Sequence, residues 1–146
     1  MPGIVVGVDG SGHSRAALEW AVREAAVRHA PLTVVTVHQA PVEYLGSAVD
    51  QAQDHDLAER YREAAQDAVN RVYARVGESC PHTATVQSVN GTPAEALLAA
   101  AQNADMLVVG SRGAGGFPRA LMGSVSSQVT RHAICPVVVI PAQHCG

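Results

Sequence analysis

"GIVVGVDGSGHSRAALEWAVREAAVRHAPLTVVTVH", residues 3–38, holds the pattern that decides the fold. Compact apolar runs stand at its two ends, "GIVVGVD" at 3–9 and "LTVVTVH" at 32–38. Continuous apolar character of that length suits strands covered on both faces, as in a parallel sheet. Between them, in "SRAALEWAVREAAVRH", Leu18, Ala21, Val22 and Ala25 recur at helical spacing. Pro31 cannot continue a helix, so it stops this one and opens the second strand. A strand–helix–strand unit with a right-handed crossover is predicted.

The rest of the chain repeats the theme. Residues 39–52 show no clear period and read as a loop, and helical periodicity returns from Asp54 to Val76. Its predicted stripe is Ala58, Tyr61, Ala65, Ala68, Val69, Val72 and Val76. "TATVQSV" at 83–89 alternates and reads as a third strand. In "NGTPAE", Thr92 as N-cap, Pro93 at the first helical position and Glu95 in a capping box predict a helix through about Gln102. "DMLVVG" at 105–110 and "PVVVI" at 136–140 supply strands four and five, with a short helix between Gly123 and His132. Such alternation argues for one α/β domain over residues 1–146 with a mainly parallel sheet.

Composition narrows the function. Of 146 residues 47% are hydrophobic and only 16% charged, which excludes a disordered chain. Ten arginines and no lysine leave a net charge of −3. Basic residues neither dominate nor cluster, so no nucleic-acid footprint is expected. The missing lysine excludes a P-loop lysine, a Schiff base and a lysine general base. The first residues lack a basic, apolar leader, and no run approaches the roughly 20 residues of a membrane span. Cys80, Cys135 and Cys145 have no metal spacing. The expectation is a soluble cytoplasmic protein without a membrane partner.

One stretch is unusual. "GSRGAGGFPRALMGSV", Gly110 to Val125, places five glycines in fourteen residues directly after the fourth strand. Glycine is entropically costly and is used where backbone must turn sharply or be approached closely. Ligands of open α/β sheets bind beyond the carboxyl ends of the strands, and a helix start presents unpaired N–H groups to anions. Gly113, Gly115 and Gly116 would admit a phosphate to main-chain amides, with Ser124 and Ser126 adding hydroxyls. A mobile loop before a serine-capped helix is the bland alternative. The stretch is no Walker loop, which ends in Gly-Lys-Ser/Thr, nor the dinucleotide fingerprint, which follows the first strand.

The spacing Gly110-x2-Gly113-x9-Gly123-Ser124 resembles that of universal stress proteins of the ATP-binding subgroup. "VVGVDGS", "AALEWA", "GTPAEALL", "ADMLVVGSRGAGG" and "CPVVVIP" extend the resemblance over nearly the whole chain, least at 39–52. It implies a Rossmann-like five-stranded parallel sheet, order 3-2-1-4-5, with helices on both faces. It further implies that Asp9, with Gly10 and Ser11, sits near the nucleotide and contacts Mg2+ directly or through water. Val37 would offer backbone groups to adenine. Gly110, Ser111, Arg112 and Gly113 would line ribose and phosphates, and Gly123, Ser124, Val125 and Ser126 the phosphate tail.

Asp9-Gly10-Ser11 also reads as a plain turn into a helix, and Val37 is core-forming with or without a ligand. His38 could line the pocket or serve the strand end, and Cys135 before Pro136 reads as a buried thiol. No nucleophile–base–orienter set emerges, so any ATP hydrolysis should be slow or incidental. The expected function is an adenine-nucleotide-binding stress-response module. A weak ATPase or nucleotide-transforming enzyme on the same fold is the alternative, and cyclic AMP is an alternative ligand. The strand Pro136 to Ile140 carries no charge and should lie at a sheet edge, where two copies could pair as a homodimer.

Overall fold

The computed structural model describes residues 3–38, 48–77, 84–111 and 124–141, with side chains from 55 onward in the second of these segments. The chain runs β1 (Ile4–Val8), α1 (Gly12–Arg28), β2 (Leu32–His38), α2 (Ala48–Val76) and β3 (Ala84–Asn90). It continues through α3 (Pro93–Ala100), β4 (Met106–Gly110), α4 (Ser124–His132) and β5 (Val137–Ile140). All strand pairs are parallel, in the order β3-β2-β1-β4-β5. The order expected from the resemblance is the one found.

Burial explains the apolar runs. Val6, Val34 and Val108 face α1 and α2, while Val5, Val35 and Leu107 face α3 and α4, so both sides of the central strands are covered. The predicted stripe of α1, Leu18, Ala21, Val22 and Ala25, is wholly inaccessible to solvent. The small alanines let that helix lie close on the sheet. His29 then takes a left-handed conformation (φ 53°), and its N–H closes the helix end on the carbonyls of Ala25 and Ala26. On α2, Ala65, Val69 and Val72 are buried as the period required.

Two expectations need correction. α2 begins at Ala48, inside the stretch read as a loop. Its first residues, "AVDQAQ", are mostly good helix formers but offer few apolar positions, and periodicity reports burial rather than helicity. At α3, Thr92 is the N-cap and Pro93 opens the helix, but no side-chain capping bond forms. Thr92 and Glu95 are both exposed, where water can serve the first-turn N–H groups. Among the described residues no helix is long and apolar enough to cross a membrane.

Candidate functional site

The sheet order reverses between β1 and β4, and there the two strands part early. Their register runs only from Ile4↔Met106 to Val6↔Val108. Beyond it Gly7 and Val8 on one side, and Val109 and Gly110 on the other, are outside this ladder, and in open α/β sheets this reversal is where a ligand crevice forms at the carboxyl edge. β2 also outruns β1, whose last pair is Val8↔Thr36. The His38 carbonyl accepts from Gly91 N–H on the β3 side at 3.0 Å. Peptide directions alternate along a strand, so the Val37 carbonyl turns toward β1, past its last paired residue.

The chain leaves β1 through a tight polar turn. Asp9 Oδ1 accepts from Ser11 N–H at 2.9 Å, and Asp9 N–H donates to Ser14 Oγ at 3.2 Å. Between them Gly10 has φ 85°, a region that favours glycine. Ser11 caps α1 by accepting from Ser14 N–H at 3.2 Å, while Ser14 Oγ donates to the Ser11 carbonyl at 3.1 Å. The turn reading of Asp9-Gly10-Ser11 is therefore correct as local structure. It also leaves the Asp9 carboxylate exposed at the mouth of the crevice. α1 carries no acidic residue in its first turn, and the Asp9 carboxylate is the negative charge set against its positive dipole end.

Gly110 has a structural reason to be glycine. A Cβ built on it would stand 2.9 Å from the His13 carbonyl oxygen and 3.0 Å from its carbon. The end of β4 thus abuts the first turn of α1. Ser111 N–H donates to the Ile140 carbonyl at 2.8 Å, and the Ser111 carbonyl accepts from Ser126 Oγ at 3.2 Å. Ser126 is only 1% exposed, so its hydroxyl fastens the start of α4 to the end of β4. Ser124 is exposed and Val125 half-buried on the same first turn. Arg112, Gly113 and Gly123 lie outside the described residues, and so do Gly115 and Gly116.

A cleft of about 610 Å³ opens from this edge between α1 and α2. Asp9, Gly10, Ser11 and Ser14 form its mouth, and Leu18, Ala65 and Ala68 lie along its floor. Tyr61, expected in the core stripe, is 40% exposed here. Its ring lies 5.7 Å from that of His38. His38 itself is buried, with Nδ1 3.1 Å from Ser88 Oγ, so it serves packing at the strand end. Sequence reasoning passed over Ser14, Thr36 and Arg15, which also line the cleft. Only Ser14 left a signal, a hydroxyl three residues after the N-cap. Cys135 is half-buried, and burial pushes its thiol pKa up, away from reactivity. Among the described residues no group of three His, Cys, Asp or Glu side chains could hold a metal ion.

The site thus brings together Asp9, Gly10, Ser11, Gly110, Ser111, Ser124, Val125 and Ser126 at one sheet edge, with Val37 beside them. Known proteins share the fold. Residues 2–141 match the model of the universal stress protein family. A universal stress protein of Mycobacterium tuberculosis is 38% identical over 144 residues, covering 94% of this chain and 47% of the relative. The chain therefore spans about half the length of the curated relatives it matches. UspA from Lactobacillus plantarum, a solved structure, gives a TM-score of 0.77 at 28% identity over 95% of this chain and 97% of that one. A universal stress protein solved in complex with cAMP gives 0.68 at 27% identity, covering 97% and 98% of the two chains. Sheet order, family match and relatives agree, and the chain belongs to the universal stress protein family.

Proposed function

We propose that this chain is a binding module for adenine nucleotides, with ATP and Mg2+ as its ligand pair, acting in a stress response. The observation that carries the reading is the crevice at the reversal of strand order, where β1 and β4 part after Val6↔Val108. Two helix starts, those of α1 and α4, open toward it, and such starts attract phosphate. The exposed carboxylate of Asp9 suits a metal ion accompanying the phosphates. The Val37 carbonyl suits an amino group on the edge of a purine. Ligand occupancy would then bias conformation or partner choice. Localisation in the cytoplasm is part of the same proposal.

A second reading replaces ATP by cyclic AMP, and the relative solved with cAMP supports it. Catalysis is not part of either reading. The chain has no lysine, and phosphate binding alone supplies no activated nucleophile. We further propose a homodimer through β5. That strand is at the sheet edge, so one side of Val137–Ile140 has no neighbouring strand among the described residues, and Ile134 just before it is 79% exposed.

Calorimetric titration of the full chain with ATP, with and without Mg2+, and with cyclic AMP tests the nucleotide reading. Mass spectrometry of any copurified ligand accompanies it. ATP binding that strengthens with Mg2+ and weakens in folded Gly113→Val supports the proposal. Equal affinity in that variant places the phosphates elsewhere, and tighter cyclic AMP binding favours the second reading. Steady-state turnover approaching about 1 s⁻¹, the low end of enzyme rates, would make the protein an enzyme.

A further inference from the structure

The cleft between α1 and α2 holds cationic charge that the fold leaves uncompensated. Both helices follow parallel strands on the same face of the sheet, so both run away from the carboxyl edge and lie parallel. The approach of Arg75 Nη1 to Glu19 Oε2, 3.8 Å, fixes their relative register. Four residues earlier on each helix, one turn nearer the edge, Arg15 is level with Arg71. Both line the cleft. Where the turn below matches acid to base, this turn matches base to base.

Both arginines are exposed. Among the described residues Arg15 and Arg71 make no ion pair, although Asp67 stands four residues before Arg71 in the orientation favoured for helical pairing. A third arginine, Arg60, also lines the cleft and pairs with Asp56 at 3.2 Å, both exposed. The acidic groups lining the cleft are Asp9 and Asp67, and the same register puts Asp67 level with Ser11 at the mouth. The cleft is therefore acidic at its mouth and basic one turn further in. Its floor is apolar, since Leu18 and Ala65 are buried there, and Tyr61 adds an aromatic ring beside them. At about 610 Å³ it is the size of cavities that hold small organic molecules.

We propose that this cleft binds a small organic anion. Its phosphate or carboxylate is held between the guanidinium forks of Arg15 and Arg71, with its apolar or aromatic body lying toward the mouth on Ala68 and Ala65. A guanidinium presents paired donors to either oxyanion, and one anion between two arginines replaces repulsion with two charge-assisted contacts. The site adjoins the proposed nucleotide site through Asp9, Gly10 and Ser11 at its mouth, while the proposed phosphate position at α4 lies on the opposite face of the sheet.

Amide NMR of the full chain, titrated separately with phenyl phosphate, benzoate, inorganic phosphate and benzyl alcohol, tests this. Phenyl phosphate or benzoate should shift the amides of Arg15, Leu18, Ala68 and Arg71, and the tighter of the two identifies the preferred anionic group. Inorganic phosphate, lacking the body, and benzyl alcohol, lacking the charge, should bind more weakly. The double variant Arg15→Gln/Arg71→Gln should lose at least about tenfold in affinity, while Arg23→Gln, whose guanidinium pairs with Glu19 outside the cleft, should match the parent. Without ligand at low salt, Arg71→Gln should melt no lower than the parent, because Arg71 is exposed and makes no ion pair among the described residues. Equal affinity in the double variant, shifts confined to other amides, or a lowered melting temperature for Arg71→Gln would overturn the proposal. ATP affinity should survive the double variant. ATP and phenyl phosphate displacing one another, with both lost in that variant, would refute a separate site. A parent chain that binds phenyl phosphate at these amides but no ATP would refute the nucleotide reading and support this one.

Discussion

Replacing Gly110 by alanine should loosen the molecule from the carboxyl edge inward. The new Cβ would lie 2.9 Å from the His13 oxygen and 3.0 Å from its carbonyl carbon, both backbone atoms that no rotamer change can move. Restoring an ordinary contact of ~3.5 Å requires α1 to retreat by about 0.5 Å. α1 cannot retreat freely, because Ala17, Leu18, Ala21, Val22 and Ala25 have no solvent exposure at all. Overpacking of this kind costs about 1–3 kcal/mol. Loss of glycine's freedom in the unfolded chain gives back about 0.4–1 kcal/mol. A net loss of about 1–2 kcal/mol remains. With a urea slope of about 2 kcal/mol per molar, the middle of the usual range, the midpoint should fall by roughly 0.5–1 M. Gly12→Ala is the control, since nothing lies within 4 Å of its Cβ position and its φ is not left-handed. It should hold or raise the midpoint. A Gly110→Ala midpoint equal to that of the parent would refute the contact between β4 and α1, and with it the reason given for glycine there.

Other outcomes follow from single contacts. Ser126→Ala removes the bond to the Ser111 carbonyl and should cost about 1 kcal/mol in urea unfolding; no change would mean that the tie is idle. Asp9→Asn should weaken ATP binding mainly when Mg2+ is present, and an identical loss with and without the metal rejects the metal contact. Val138→Pro removes a backbone donor from the edge strand and should split the proposed homodimer; light scattering that finds only monomer in the parent with ATP present sinks that assembly. Burial raises the folded pKa of Cys135 above its unfolded value. The stabilisation from its protonated thiol is thus complete below the unfolded pKa, about 8.5, and is lost as pH rises through the folded one. In a Cys80→Ser/Cys145→Ser background, folded chains should alkylate more slowly than unfolded ones at about pH 8. Equal rates contradict the burial.

The fold was legible because its signals are properties of single segments. Apolar runs covered on both faces and the stripe Leu18, Ala21, Val22, Ala25 require only that strands and helices bury what they can. Long-range pairing was less legible. Nothing local says that Gly110 is glycine because His13 backbone lies against it, since that contact spans most of the chain. Ser126 read as an open hydroxyl for a ligand, yet its partner is the Ser111 carbonyl fifteen residues earlier. Tyr61 fell on the helical stripe, and its position near the mouth end of α2, beyond the close packing at Ala65 and Val69, leaves it in the cleft. The Thr92–Glu95 box failed for a different reason: an exposed cap bond competes with water on nearly equal terms.

The short join between β1 and β4 divides the sheet mechanically. Three residue pairs hold it, against five between β1 and β2, seven between β2 and β3, and four between β4 and β5. The three-stranded and two-stranded ribbons are thus welded over a short length, with α1 lying across both like a strap. Thermal opening should begin above Val6 and Val108 and run downward, so amides there should exchange with solvent before those at Val34 or Val35. Any molecule that touches Asp9 on one ribbon and Ser124 on the other acts as a rivet across the weld. Its binding would be felt as stiffness far from its own contacts, through the whole length of α1.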